Sequence, residues 1–512
     1  MTLVCRTADR RGSRGMREAT SGIWYPGARQ SRDVTPDAVI VVPGIMGSEL
    51  IETETGKLLW GLKPAMLGRA FGHSGGLDAL RATEAELDGS GRTRVLPSAL
   101  LQIPAWVPLI HGIEPYHDLL TMVRDTVPTP AAVLPFPYDW RLPVEYNGQL
   151  LADAARRHLE GWTATVLATP ALRALCEERM PQLVFVAHSM GGLVARAAIY
   201  QQPDLHGDTR AVVTLGTPFL GSAKAAMMLN GGRRTGGISG MVLDRLQRLT
   251  VTLPGIYDLL PDYRCVDEGL EVARLTPQTV ARIGGDPYLA EASMRFQLKM
   301  RLDHMEAIPA HRAVVGVAQP TAQSVRIEAG VVQPQYTSFI AGEHGDLRRN
   351  EHGIPERLDR WGDGTVYRDA ATHGAEKPVY LPVQHGSLAK DDVALRYVHG
   401  VLTEKSAYAG PPMGPGEVGL DLPGEGAIAG RAWQLRVTGR DRPVGVRCEV
   451  INTETGAVVA TPRLSTKEDC LTASVTLTEP GLYRVRVQVA GTRSVTQLLL
   501  VFGAELEGRP NL

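Results

Sequence analysis

From about residue 35 to residue 408 the chain alternates two hydrophobic patterns. Short apolar runs, AVIVV at 38–42, LVFV at 183–186 and AVVTL at 211–215, carry no alternating polar positions, as expected of strands covered on both faces. Between them Leu150, Leu151, Ala154, Ala155, His158 and Leu159 recur at helical spacing, as do Leu193, Val194, Ala197 and Ala198 just after the second run. Strand and helix alternating in this way predict βαβ units and an α/β fold built on a mostly parallel sheet.

Near residue 430 the period changes to two. Trp433, Leu435 and Val437, then Val446, Cys448 and Val450, then Val475 and Leu477, then Tyr483, Val485, Val487 and Val489 alternate with polar residues. Turn signals separate these runs, and they predict a small antiparallel, immunoglobulin-like β-sandwich. Before it lies the Pro- and Gly-rich stretch AGPPMGPGEVGLDLPGEGAIAG. The division expected is a basic arm over 1–35, an α/β domain over 36–410, a linker over 411–429 and the sandwich over 430–512.

Composition narrows the reading by exclusion. The 512 residues exceed what one core usually holds, and 54 Lys plus Arg against 55 Asp plus Glu give a net charge of -1, which excludes a general nucleic-acid binder. The 5 cysteines lie far apart, without the spacing of a structural zinc site or a disulfide framework. Arg6, Arg10, Arg11, Arg14 and Arg17 come without the apolar stretch of a secretory signal, and no run of about 18 apolar residues occurs. The expected setting is cytoplasmic, with no membrane span.

The chemistry concentrates in LVFVAHSMGGLVARAAIY, residues 183–200. Ser189 stands where an apolar strand ends and a helix opens, which is the context of a nucleophile elbow, with Ala187 in place of the usual first glycine. A serine hydroxyl is too weakly acidic to attack an ester unaided, so a histidine base and a carboxylate to orient it are required, in the chain order acid then histidine. WGDGTV at 361–366 supplies Asp363, and KPVYLPVQHGSL supplies His385 after a short apolar run. His373 and His399 are the competing bases, but the first has no preceding strand and the second falls within a helical pattern. The oxyanion donors expected are the amide of Met190, directly after the nucleophile, and that of Ile45 in the PGIMGS loop after the first strand.

With these residues in place the chain resembles the lecithin:cholesterol acyltransferase family of α/β-hydrolases, over about residues 38–405. The resemblance runs through VVPGIMGSEL, PFPYDWR, AHSMGG, LGTPFLGS, GDGTV and the HGSL histidine segment. It implies the same roles for Ser189, Asp363 and His385, and for the Ile45 and Met190 amides. Two departures stand out: no cysteine lies between Cys5 and Cys176, and the C-terminal sandwich is not part of the family pattern.

Roughly ninety residues, about 222–308, separate LGTPFLGS from the apolar run at 313 and are expected to form a lid. Within them Val242, Leu243, Leu246 and Leu249 mark one helix face, after a hinge containing Gly231, Gly232, Gly236, Gly237 and Gly240. Trp60, Met46 and Phe219 are expected to line the substrate pocket, with Trp106 as a further candidate. His344, Asp346 and His352 are read as an irregular polar loop, so no metal and no cofactor are expected.

The function expected is a serine esterase or lipase-type hydrolase, or an O-acyltransferase, acting on lipid-like acyl esters through an acyl-enzyme. Its partners are the lipid or acyl-ester substrate and a peripheral membrane surface met by the sandwich arginines Arg431, Arg436, Arg440, Arg442, Arg447, Arg484, Arg486 and Arg493. The alternatives are a thioesterase or small-ester carboxylesterase, and a catalytically silent hydrolase fold that serves as a binding protein.

Overall fold

The computed structural model describes residues 34–61, 77–87, 93–107, 109, 111–176, 179–230, 237–302, 308–340, 346–372, 375, 377–405, 417–489 and 494–504. The basic arm through residue 33, part of the glycine hinge, His344, His373 and residues 411–416 of the expected linker lie outside the described residues.

Six parallel strands make the central sheet, in the order Val379–Leu381, His311–Gly316, Thr209–Leu215, Leu183–His188, Ala38–Val42 and Val133–Pro135. The middle strands Ala38–Val42 and Leu183–His188 are buried at every position, which is why their sequences show no alternation. Helices Val144–Ala168 and Met190–Gln201 pack against one another and against the first strand. Leu151, Ala152 and Ala155 of the first helix are buried, whereas Leu150 is exposed. Strands alternating with helices around one parallel sheet, and a sharp strand-to-helix turn carrying a serine, define an α/β-hydrolase fold.

The segment expected as a lid folds mainly into helices, including Ala223–Asn230, Gly237–Thr250 and Pro287–Leu302. Val242, Leu243, Leu246 and Leu249 are buried, while Asp244 and Arg248 on the other face are exposed. Val242, Leu246 and Leu249 belong to the main hydrophobic core, so this helix packs on the body of the domain in this structure.

The C-terminal region is a β-sandwich of a four-stranded and a five-stranded sheet sharing one core, in which Leu435, Val437, Val450, Val485 and Val487 are inaccessible to solvent. Strand Ala432–Thr438 alternates buried and exposed positions as its sequence requires. Two strands, Gly419–Asp421 and Ala427–Ile428, come from the stretch expected as linker. Alternation is hard to see in strands of three and two residues among glycines and prolines. Cys448 and Cys470 are free buried thiols.

The sandwich does not stand apart from the hydrolase body. Leu482, Leu498, Leu500 and Phe502 belong to the main core, Trp106 meets the Phe502 ring edge-on at 6.1 Å, and Arg484 forms a bidentate pair with the buried Glu114 at 2.9 and 2.7 Å. Arg447 and Arg486 both pair with Glu449, so three of the arginines expected to face a membrane are engaged within the protein.

Among the described residues no helix is long and apolar enough to cross a membrane. Asp346 and His352 are exposed, and no cluster of three metal-binding side chains occurs among those residues.

Candidate active site

The strand Leu183–His188 runs straight into Ser189, whose backbone sits at φ 53, ψ -127, and helix Met190–Gln201 begins one residue later. This turn demands small neighbours. A Cβ on Gly191 would lie 2.4 Å from the Pro43 carbonyl oxygen, and one on Gly44 would lie 2.8 Å from Ser189 Cβ. The strained conformation is held by a bond from the Ser189 amide to the Leu215 carbonyl at 2.9 Å on the neighbouring strand.

His385 comes from the 3₁₀ turn His385–Ser387 that follows the edge strand Val379–Leu381. Its Nε2 is 2.8 Å from Ser189 Oγ and its Nδ1 is 2.7 Å from Asp363 Oδ2. An ionised carboxylate only accepts hydrogen bonds, so the proton sits on Nδ1 and Nε2 turns its lone pair to the serine hydroxyl. The other oxygen of Asp363 accepts the amides of Thr365 at 2.9 Å and Val366 at 2.7 Å, and the His385 amide donates to the Asp363 carbonyl at 2.8 Å. All three side chains are buried. Gly216, at φ +64, leaves room for the pair, since a Cβ there would come within 3.0 Å of Asp363 Oδ2 and 3.1 Å of His385 Nδ1.

Beside the serine lies the loop after the first strand. The Gly47 amide donates to the Gly44 carbonyl at 3.0 Å and Met46 takes the left-handed conformation at φ 59, closing a tight turn with Ile45 at its second position. Met190 opens its helix, so its amide has no intrahelical acceptor. Ile45 borders the cleft at Ser189.

Two residues that the sequence reading passed over complete this loop. Tyr116 accepts the Gly44 amide at 2.8 Å and lies 2.7 Å from His188 Nδ1, while His188 Nε2 is 3.0 Å from the His385 carbonyl. The carbonyl can only accept, so Nε2 carries the proton and the phenol donates to Nδ1; every polar group in the chain is satisfied with His188 neutral. Burial, reinforced by the neighbouring His385, pushes His188 down to about 3. Burial likewise raises the Tyr116 phenol. His188 was visible as the residue before Ser189, but nothing local indicated its partner.

The cleft has mainly apolar walls, among them Ile45, Ile113, Ala225, Met228, Leu259 and Val366. Trp60, Met46 and Phe219 are not among its lining residues. Trp60 instead donates its indole N–H to the Met46 carbonyl at 2.8 Å and packs edge-on against Trp140, and Met46 is buried in the main core. Phe219 lies beneath the Arg196 guanidinium, 5.4 Å away, packs against the His311 ring and lines a separate cavity with Arg196, Phe296 and Met300. Trp106 is taken up by the sandwich contact. Apolar side chains near an elbow in sequence are drawn into the nearest core, and only the packing decides which of them face the cleft.

Lys224 does line the cleft, and the sequence reading did not single it out. Its signal was a lone cation in the helix AKAAMMLN, which is otherwise apolar up to Asn230. Burial pushes its ammonium down to about 8, against the opposing pull of Asp363 and Asp421.

The histidine turn is braced by the sandwich. Gln384, directly before His385, shares the two N–H groups of its Nε2 among Gln319 Oε1 at 3.0 Å, the Leu420 carbonyl at 3.1 Å and Gln497 Oε1 at 3.1 Å. On the other side Gly386 leaves no space for a side chain, since a Cβ there would be 1.7 Å from the Gly112 carbonyl oxygen, and Gly112 abuts Leu498. Asp139 and Arg141 pair at 3.0 and 2.8 Å, with Glu86 as a third member, in the buried turn before the long helix Val144–Ala168, and none of the three lines the cleft.

The fold and site together place the protein among the α/β-hydrolase folds. Residues 155–228, which include the elbow, match the family described as PGAP1-like alpha/beta domain. No curated protein matches the chain. Solved structures to which the chain is similar include the Tle4-Tli4 complex, at 14% identity over 72% of this chain and 98% of that one with a TM-score of 0.41. The mature form of Bacillus licheniformis lipase BlEst2 is similar at 13% identity over 74% and 96%, with a TM-score of 0.29. Phospholipase PlaB from Legionella pneumophila is similar at 10% identity over 91% and 89%, with a TM-score of 0.24.

Proposed function

We propose that this protein is a serine hydrolase of lipid-like acyl esters, related to the lecithin:cholesterol acyltransferase type, with Ser189 as nucleophile, His385 as base and Asp363 as its orienting acid. The observation that carries this reading is His385, which bridges Ser189 Oγ at 2.8 Å and Asp363 Oδ2 at 2.7 Å. His385 Nε2 takes the hydroxyl proton as Ser189 Oγ attacks the ester carbonyl. The negative charge that develops on the carbonyl oxygen is met by the amides of Ile45 and Met190, the latter at the positive end of its helix. The resulting imidazolium passes its proton to the leaving alkoxide, and the alcohol departs. A water, deprotonated by His385, then attacks the acyl-enzyme and releases the acid and Ser189.

The apolar walls around Ser189 support an acyl chain as the group held during these steps. The same acyl-enzyme passes its acyl group to an alcohol when one replaces water in the second half-reaction. Thioester and short-chain ester substrates would use identical groups, and chain length separates them from lipid substrates.

The test is labelling of the full chain with a fluorophosphonate, together with hydrolysis of an acyl-chain-length series by wild type and Ser189→Ala. Labelling at Ser189, turnover that rises with chain length and its loss in the variant are expected. Turnover that survives Ser189→Ala, or a serine that does not label, overturns the reading.

A further inference from the structure

Lys224 is the second residue of helix Ala223–Asn230 and shares the cleft with Ser189 and His385. The residue is only 8% exposed, and its Nζ is buried with no hydrogen-bond partner among the described residues. Leaving an ammonium buried and unpaired in a protein interior is costly. Neither nearby carboxylate relieves it by contact. Asp363 spends both oxygens on Thr365, Val366 and His385, and Asp421 acts on Lys224 as a charge without a bonded pair among the described residues.

Resting on the serine-hydrolase reading above, we propose that Lys224 binds an oxyanionic group of the substrate, a carboxylate or a phosphate, held close to the scissile ester. The rest of the cleft argues for this occupant. Its other walls are largely apolar and, among the described residues, include no second lysine or arginine, so Lys224 is the cation an entering anion meets in the resting site. In a site shielded from water that attraction is far stronger than at a surface. An ammonium is a compact point charge that imposes no planar fork, so it accepts either oxyanion. A neutral chain in the same place would leave the ammonium unpaired, and the cleft thereby discriminates against it.

The experiment compares kcat/KM of the full chain on matched esters. One pair is the p-nitrophenyl monoester of adipic acid against p-nitrophenyl hexanoate, which adds a carboxylate to the acyl chain. The other is a monoacylglycerol phosphate against the corresponding monoacylglycerol, which adds a phosphate to the alcohol. Wild type is expected to prefer the anionic member of at least one pair by tenfold or more, and that pair identifies the source of the anion. Lys224→Met should lose at least tenfold of this ratio, mainly through KM, and Lys224→Arg should recover part of it. Thermal melts of both variants establish that they fold; if Lys224→Met does not, Lys224→Gln takes its place. Hydrolysis of both neutral esters without anionic preference, or a preference that persists without the lysine, overturns the proposal while leaving the serine-hydrolase reading intact. Failure to hydrolyse any of the four, with no fluorophosphonate label on Ser189, overturns the reading on which it rests.

Discussion

Tyr116 and His188, separated by 72 positions in the chain, are joined by a 2.7 Å hydrogen bond in which the phenol donates to Nδ1. The same phenol oxygen accepts the Gly44 amide, and His188 reaches on to the backbone of His385. One buried polar chain therefore ties the loop that carries the Ile45 amide to the turn that carries His385.

Tyr116→Phe removes both bonds of the phenol and leaves the Gly44 amide and His188 Nδ1 buried without partners. A cost of about 1–3 kcal/mol is expected for the groups left unsatisfied. Turnover should fall roughly tenfold or more as the loop carrying the proposed Ile45 donor loosens, less than the loss of a direct donor. The checks are a denaturant melt and kcat on a soluble ester. Wild-type turnover in the variant would mean that Ile45 is positioned without this chain.

The acid limb of stability should carry the signature of His188. An unfolded histidine titrates near 6.5 and His188 in the fold near 3, so between these values the unfolded chain binds more protons. Stability is then complete above 6.5 and is lost as the pH falls toward 3, at no more than about 1.4 kcal/mol per pH unit from this one group. Melting temperatures of wild type and His188→Asn, measured from pH 7 to pH 4, should show the shallower slope in the variant. Parallel slopes would assign the acid sensitivity to other residues.

Asp363→Asn should lower turnover by roughly 10³ to 10⁴, because an amide no longer fixes the proton on His385 Nδ1. Asp369 provides the control. It is held at the surface by Arg368 and Arg360, and its change to Asn should leave turnover close to wild type. If Asp369→Asn is the damaging change, the acid has been misassigned.

Removal of residues 417–512 should abolish activity even on a soluble short-chain ester. The deletion uncovers Trp106 and Gly112 and takes away Gln497 and the Leu420 carbonyl, two of the acceptors that hold Gln384 beside His385. The measurement is the rate of the purified truncated chain and its solubility beside the full chain. A soluble fragment that works at the full rate would show that the sandwich is a separable unit, as the composition of residues 408–430 alone suggests.

Local covalent order determined a good deal of this protein by itself. The all-apolar strands at 38–42 and 183–186, the period of two beyond residue 430 and the turn around Ser189 are written in adjacent residues, because sheet burial and a tight strand-to-helix turn constrain side chains next to one another in the chain. Asp363 and His385 were candidates through chemical necessity and chain order, and the fold brings both side chains into line with Ser189. Packing decided the rest. Trp60, Met46 and Phe219 looked like pocket residues and were claimed by the core, while Lys224, in the segment expected as a lid and not singled out there, came to line the cleft. The partnership of Tyr116 with His188, and of Gln384 with Gln497 113 positions away, follows from which surfaces close upon one another. Burial and hydrogen bonding are properties of three-dimensional neighbours, and residues so far apart leave no periodic trace of their meeting in a single sequence.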